Sequence, residues 1–424
     1  MSAADLSRYI IMGPIIILDK STLEALSPGE VFILHKYYHV NIAPVLALEI
    51  LGDLKKPREN QSSESRVVQL ANKIMAFDAV VNVHYKSQIK ASLAGYEVKM
   101  DRRPVLSDGR TVKNENGEQG IVFEVSAAEK AFLRWKNSDF SEAEKILGGL
   151  WRESTRSLDI EGLIIDLKKV SPHLPSFKDT KHLFETLTAL LARREHQVHF
   201  LMAMVNEFGL ASDIDFVQKV LLRWEAGKFE NLEPFAPYAF YCFKVNYFFQ
   251  LGLINNFFGT KSTNRVDLEY VYYLPFCMAF SSGDKFLKQI APYFIHHDQS
   301  FIDKNQLKED LKKIELTWHS ANDKQQWDTV PPEDPDSITW QIWKKHMSTD
   351  RRNRNFALNL TKEQNQKLAD FIFNKLKGEV DLPHSTLNSD DVDFVIKKRT
   401  ITKNDYCVCG SGLRFGDCHG KDLK

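Results

Sequence analysis

Ile15-Ile16-Ile17-Leu18 is an unbroken apolar run closed at once by Asp19. Four consecutive apolar side chains leave a strand no polar face, so such a strand has to be covered on both sides. That is the condition of a strand inside a parallel sheet. Parallel strands need long crossovers, usually helical, and the following residues supply helix signals. Ser21-x-x-Glu24 and Ser27-Pro28-Gly29-Glu30 both have the form of a capping box, the second with proline at the first helical position. A helix through Val31–His35 is expected, then a short extended stretch from Val40 to Ala43. Pro44 opens another helix, in which Ala47, Ile50, Leu51 and Leu54 recur at helical spacing as the buried stripe. Glu49 lies at the edge of that stripe, where a carboxylate can face a cleft.

A second set of the same parts occurs at residues 264–285. A helix carrying Asp267 is expected to end near Pro275, the apolar run 276–280 reads as a buried strand, and Asp284 stands just past it. Open α/β sheets bind their ligands at the carboxyl ends of their strands, so Asp19 and Asp284 occupy the informative positions. Each also has a plainer role, as the cap of the helix that follows it. Asp53, one turn on, is the alternative to Glu49, and Glu269 the alternative to Asp267, which also suits a helix N-terminus.

Phosphodiester hydrolysis needs water deprotonated near neutral pH and a leaving oxygen stabilised as it gains charge. Mg²⁺ or Mn²⁺ provides both, and hard divalent ions take oxygen ligands. Carboxylates gathered without a cation repel one another, which makes such a cluster costly in a plain core. A strand-end aspartate, a helix, a second extended segment and a helix-borne glutamate resemble the opening of a PIN-like nuclease domain. The resemblance implies an α/β fold, a PIN-like parallel sheet flanked by helices. It also implies that Asp19, Glu49, Asp267 and Asp284 hold Mg or Mn and orient the attacking water. About 218 residues separate Glu49 from Asp267, so it further requires a large helical insertion.

The C-terminal tail carries a different chemistry. Cys407-x-Cys409, eight residues, then Cys418-His419 offers three thiolates and one imidazole, a tetrahedral set for structural zinc. Gly410, Ser411 and Gly412 permit the tight turn. So short a segment has almost no apolar core, and metal binding must supply most of its folding free energy. Residues 405–420, with the C-x-C-G-S-G core, Phe415 and the Cys-His pair, resemble the SEC-C motif. That resemblance implies zinc and a docking role toward a protein or nucleic acid. Four protein ligands leave no open position for catalysis.

Lys plus Arg equals Asp plus Glu at 56 each, which argues against a generally basic nucleic-acid coat and leaves room for a local basic groove. The N-terminus lacks the build of a signal peptide, and the run Tyr9–Leu18 is broken by Gly13-Pro14 and too short to span a bilayer. A cytoplasmic protein without membrane association is expected. Three of the five cysteines fall within the tail, a pattern of metal binding in a reducing compartment. Residues 101–120 read as a long exposed loop. The aromatic stretch 235–258 reads as core packing, with base stacking as the alternative. His296-His297-Asp298 reads as a loop, and the basic clusters Arg351, Arg352, Arg354 and Lys397, Lys398, Arg399, Lys403 as solvated surface. The expected organisation is a first PIN-like half at 1–100, a loop and helical insertion at 101–255 and a second half at 256–300. A helical extension at 301–375, a linker at 376–402 and the zinc module at 403–424 complete it. The expected function is a metal-dependent nuclease acting on RNA, with DNA as the other substrate. The rival is a non-catalytic adaptor whose zinc tail binds a chaperone, ribosome or translocation component.

Overall fold

The computed structural model describes residues 13–347, apart from 57–62, 76–78, 108, 114–118, 124, 171–175, 327 and 329. In the C-terminal tail it describes only Asp417 and Lys421. The expected first strand, β1 (Ile15–Leu18), is completely enclosed, with Ile15, Ile16 and Ile17 at 0% exposure. Burying each of these side chains contributes about 1.5–3 kcal/mol. Helices α1 (Lys20–Ala25) and α2 (Pro28–Tyr37) follow, then β2 (His39–Ile42) and α3 (Pro44–Leu51), which runs directly into a 3-10 turn at Gly52–Lys55. The capping box at Ser27 and Glu30 forms in both directions. At the first helix Asp19, rather than Ser21, is the cap: its carboxylate accepts the Thr22 N–H, and Ser21 lies inside the helix. A single residue, Asp19, separates the strand from the helix, so the strand-end aspartate already occupies the capping position.

After α4 (Ser63–Ile74), β3 (Val80–Val81) and α5 (Tyr85–Ala94), residues expected to be loop form the antiparallel hairpin β4 (Gly109–Lys113) and β5 (Gln119–Phe123). Thr111, Val112, Ile121 and Val122 supply the β-branched content that the surrounding polar residues mask in the sequence. A helical stretch then runs through α6 (Ala127–Trp135), α7 (Glu142–Arg156), α8 (Ile160–Val170), α9 (Thr180–Leu191), α10 (Gln197–Glu207), α11 (Ile214–Ala226), α12 (Leu232–Phe235) and α13 (Pro237–Ile254). Helix α13 is apolar nearly all round and fully enclosed at Tyr238, Phe248 and Phe249. The aromatic stretch is therefore core, as a helix without a polar face has to be.

The chain returns to the sheet through α14 (Thr263–Val271), a 3-10 turn at Leu274–Phe276, β6 (Ala279–Ser282) and α15 (Lys285–Ile290), and then through β7 (Ser300–Asp303) and α16 (Lys304–His319). A short α17 (Asp323–Gln326) precedes α18 (Ile338–His346). The β6 strand begins three residues later than its apolar run, because Pro275 holds residues 274–276 in the turn. The sheet has five strands in the order β3-β2-β1-β6-β7, every neighbouring pair parallel. Register places Ile16 beside Ala279 and Leu18 beside Ser281, so β1 and β6 finish together at one edge. Far-apart segments are also pinned: the Trp343 indole donates to the Tyr37 carbonyl at 2.6 Å, and Lys308 pairs with Glu30 at 2.7 Å. No described helix is long and apolar enough to cross a membrane.

Candidate active site

Because β1 and β6 are neighbours in register, the residues that leave them meet. The buried Asp19 carboxylate accepts the Thr22 N–H at 2.8 Å, the Ser21 hydroxyl at 2.8 Å and the Ser282 hydroxyl at 2.6 Å. Ser282 Oγ in turn accepts the Asp284 N–H at 3.0 Å, and Ser21 Oγ accepts the Gly283 N–H at 3.2 Å. Two serines thus close a ring of hydrogen bonds between the two strand ends. Asp284 caps α15, accepting the Phe286 and Leu287 N–H groups. Asp19 and Asp284 are therefore both caps and strand-end acids, and the two roles coexist.

The other two expected acids come from helices that flank these ends. Glu49, partly buried on α3, accepts a hydrogen bond from the Tyr270 hydroxyl. Tyr270 and Asp267 sit three residues apart on α14, so they share a face, and Tyr270 stacks on Phe280 of β6. Burial raises the Glu49 carboxyl to about 7; Tyr270 and Lys20 oppose the shift, and Asp19 and Asp53 reinforce it. Burial raises Asp267 further, to about 8, with Glu49, Asp284 and Asp19 adding to the rise and Lys261 opposing it. The other three expected residues are thus within electrostatic reach of Asp267.

The alternatives separate cleanly. Glu269 turns away from the cluster to the Tyr85 hydroxyl at 3.4 Å, with Arg265 nearby. Asp53 is buried at the rim and pairs with Lys20 Nζ at 2.8 Å, while the same ammonium donates to the Glu49 carbonyl at 2.9 Å. Sequence reasoning missed Tyr270, Ser21, Ser282 and Lys20. The signal available for Ser282 was the polar Ser281-Ser282 pair ending an otherwise apolar strand.

Among the described residues, no group of three or more His, Cys, Asp or Glu side chains is arranged to hold a metal ion by itself. The donor set still fits one mode of binding. Mg²⁺ keeps several waters and is commonly held by one or two carboxylates together with substrate phosphates. Carboxyl groups raised by burial and by one another's charge have the oxygen chemistry such an ion requires. On an exposed loop Asp298 instead lies 2.6 Å from His296 Nδ1 and pairs with Arg102. The basic clusters at 351–354 and 397–403, and the ligand positions Cys407, Cys409, Cys418 and His419, lie outside the described residues.

Fold and site together define a parallel-sheet α/β protein with an acidic carboxyl edge. At the other end of the chain, residues 404–421 match the SEC-C motif, a segment that contains all four tail positions. No curated protein and no solved structure matches the chain.

Proposed function

We propose that this chain is a metal-dependent nuclease of PIN-like type that hydrolyses phosphodiester bonds in RNA, with a SEC-C zinc tail for docking. The observation that carries this reading is the convergence of Asp19, Glu49, Asp267 and Asp284 where two parallel strands end, close enough that Glu49, Asp284 and Asp19 all act on Asp267. A core has no use for such a cluster, since each member raises the cost of the others. The strand order, with two parallel strands on either side of β1, agrees with a PIN-like domain whose halves are separated by the helices α6–α13.

Asp19, Glu49, Asp267 and Asp284 are the residues that would hold Mg²⁺ or Mn²⁺. When bound, such ions supply a hydroxide nucleophile near neutral pH and stabilise the leaving oxygen. The chain's own part is preorganisation. Ser21, Ser282 and the Thr22 N–H fix the Asp19 carboxylate in one orientation, and Tyr270 fixes Glu49. Lys20 is engaged by Asp53 and neutralises that rim carboxylate. The Cys407, Cys409, Cys418 and His419 set would hold one structural zinc.

Labelled single-stranded RNA incubated with the protein and Mn²⁺, beside Asp19→Asn, tests the proposal. Cleavage by the parent and a loss on the order of 10²-fold or more in the variant are expected. Equal cleavage by both, or none by either, overturns it. The second reading, a non-catalytic adaptor, is favoured by one observation: a lysine already stands among the carboxylates. Metal analysis separates the two, because the nuclease binds Mn²⁺ beyond its zinc and the adaptor binds zinc alone.

A further inference from the structure

Helix α7 belongs to the inserted helices, yet it lies against α3, against the 3-10 turn that follows α3, and against α14. It therefore touches both helices that carry acids of the site. Gly148 makes this approach possible: a Cβ there would stand 2.6 Å from the Leu51 carbonyl oxygen. On the outer side of the contact is a groove of about 440 Å³ lined by Lys55, Gly149, Arg152, Glu153, Arg156 and Ser157. Three cations face one carboxylate there, in a protein whose formal net charge is zero. Lys55 and Arg156 are exposed and Arg152 is half-buried. None of the three forms a salt bridge among the described residues. Two of these cations are arginines, whose planar fork matches phosphate oxygens in pairs.

The groove is also at the right distance. Lys55 is six residues beyond Glu49 on one continuous helical path, roughly 10 Å along the axis. A stacked nucleic-acid strand rises about 3.4 Å per nucleotide, so about three nucleotides join the carboxylates to the groove. We infer that Lys55, Arg152 and Arg156 form a track for the phosphate backbone of a single-stranded nucleic acid leading to the acidic edge of the sheet. This deepens the nuclease reading and rests on it for the direction of the track. The contacts are to phosphate, so they fix the position of the strand and carry no base preference.

Fluorescence anisotropy with a labelled oligo-U RNA tests the track without any cleavage. The full-length protein is used in an Asp19→Asn background, with Lys55→Ala/Arg152→Ala/Arg156→Ala compared against the parent and against Lys312→Ala on α16. Circular dichroism melting confirms that each variant folds. Three lost phosphate contacts should weaken binding at least tenfold and flatten the slope of log Kd against log salt by about 2, while Lys312→Ala leaves both unchanged. Binding and slope equal to the parent in the triple variant overturn the inference. So does equal affinity of the parent for poly-glutamate of matched charge, which assigns the groove to an acidic protein partner. If the track binds RNA as expected and the protein with Asp19 intact cleaves nothing, the inference stands and the nuclease reading alone falls.

Discussion

Burial holds Glu49 at about 7 and Asp267 at about 8, far above ordinary carboxyl values, so folding takes up protons at this site. The sign follows by linkage. A group whose folded pKa is raised adds stability that is present below the unfolded value, about 4, and lost as pH rises through the folded value. Without divalent ions the melting temperature should therefore fall between about pH 5 and pH 8. Glu49→Gln and Asp267→Asn should each flatten that fall, as measured by thermal denaturation across the range; parallel curves for parent and variants would remove the assignment. A cation competes with the same protons, so the rise in melting temperature produced by Mn²⁺ should be larger at pH 8.5 than at pH 6. Lys20→Met makes a separate test, because it removes the ammonium that pairs with the buried Asp53 carboxylate. A cost of about 3 kcal/mol is expected in urea denaturation, and Lys20→Met/Asp53→Leu should recover most of it. Asp19 and Asp284 were legible because a strand end is a local event. Tyr270, more than two hundred residues from Glu49, was not, since a tyrosine at helical spacing reads as core until its hydroxyl's partner is known.

At the scale of elements, the contact between α7 and α3 is the one most exposed to a single change. Gly148 abuts the Leu51 carbonyl, which is backbone and cannot swing aside, and Trp151 lies against Gly52 from the same helix. Gly148→Ala should force the two helices apart at a cost of about 1–3 kcal/mol, seen as a lower urea midpoint with an unchanged slope. Because the groove beside the contact depends on the same approach, RNA affinity should fall with it even though no cation is altered. Local signals were sufficient for β1, α2 and the stripe of α3, where apolar continuity, a capping box and periodicity coincide. They failed at residues 109–123, where short β-branched pairs are diluted by polar residues and the hairpin depends on each strand finding the other. They also misplaced the start of β6, whose register is set by β1 rather than by its own apolar run.

For the molecule as a whole, the tail and the α/β body should behave as separate thermodynamic units. The body's core is closed by residues between 15 and 347, whereas a tail this short depends on its ion. Purified protein should hold one zinc by elemental analysis, and Cys409→Ser should lose it while the main melting transition stays where it was; a large drop in that transition would show that the tail braces the body. The class of fold follows from residue order alone, since an apolar strand with no polar face admits few surroundings other than a parallel sheet. Residue order also determined the tail's four candidate ligands, because a metal site within a dozen residues is written entirely in local spacing. Tertiary structure decided the rest. Strand order brought Asp19 and Asp284 to one edge, packing turned Asp267 toward Glu49 and Glu269 away, and the inserted α7 set a basic groove beside the acids. Each of these depends on contacts between residues far apart in the chain, whose energies no local pattern encodes.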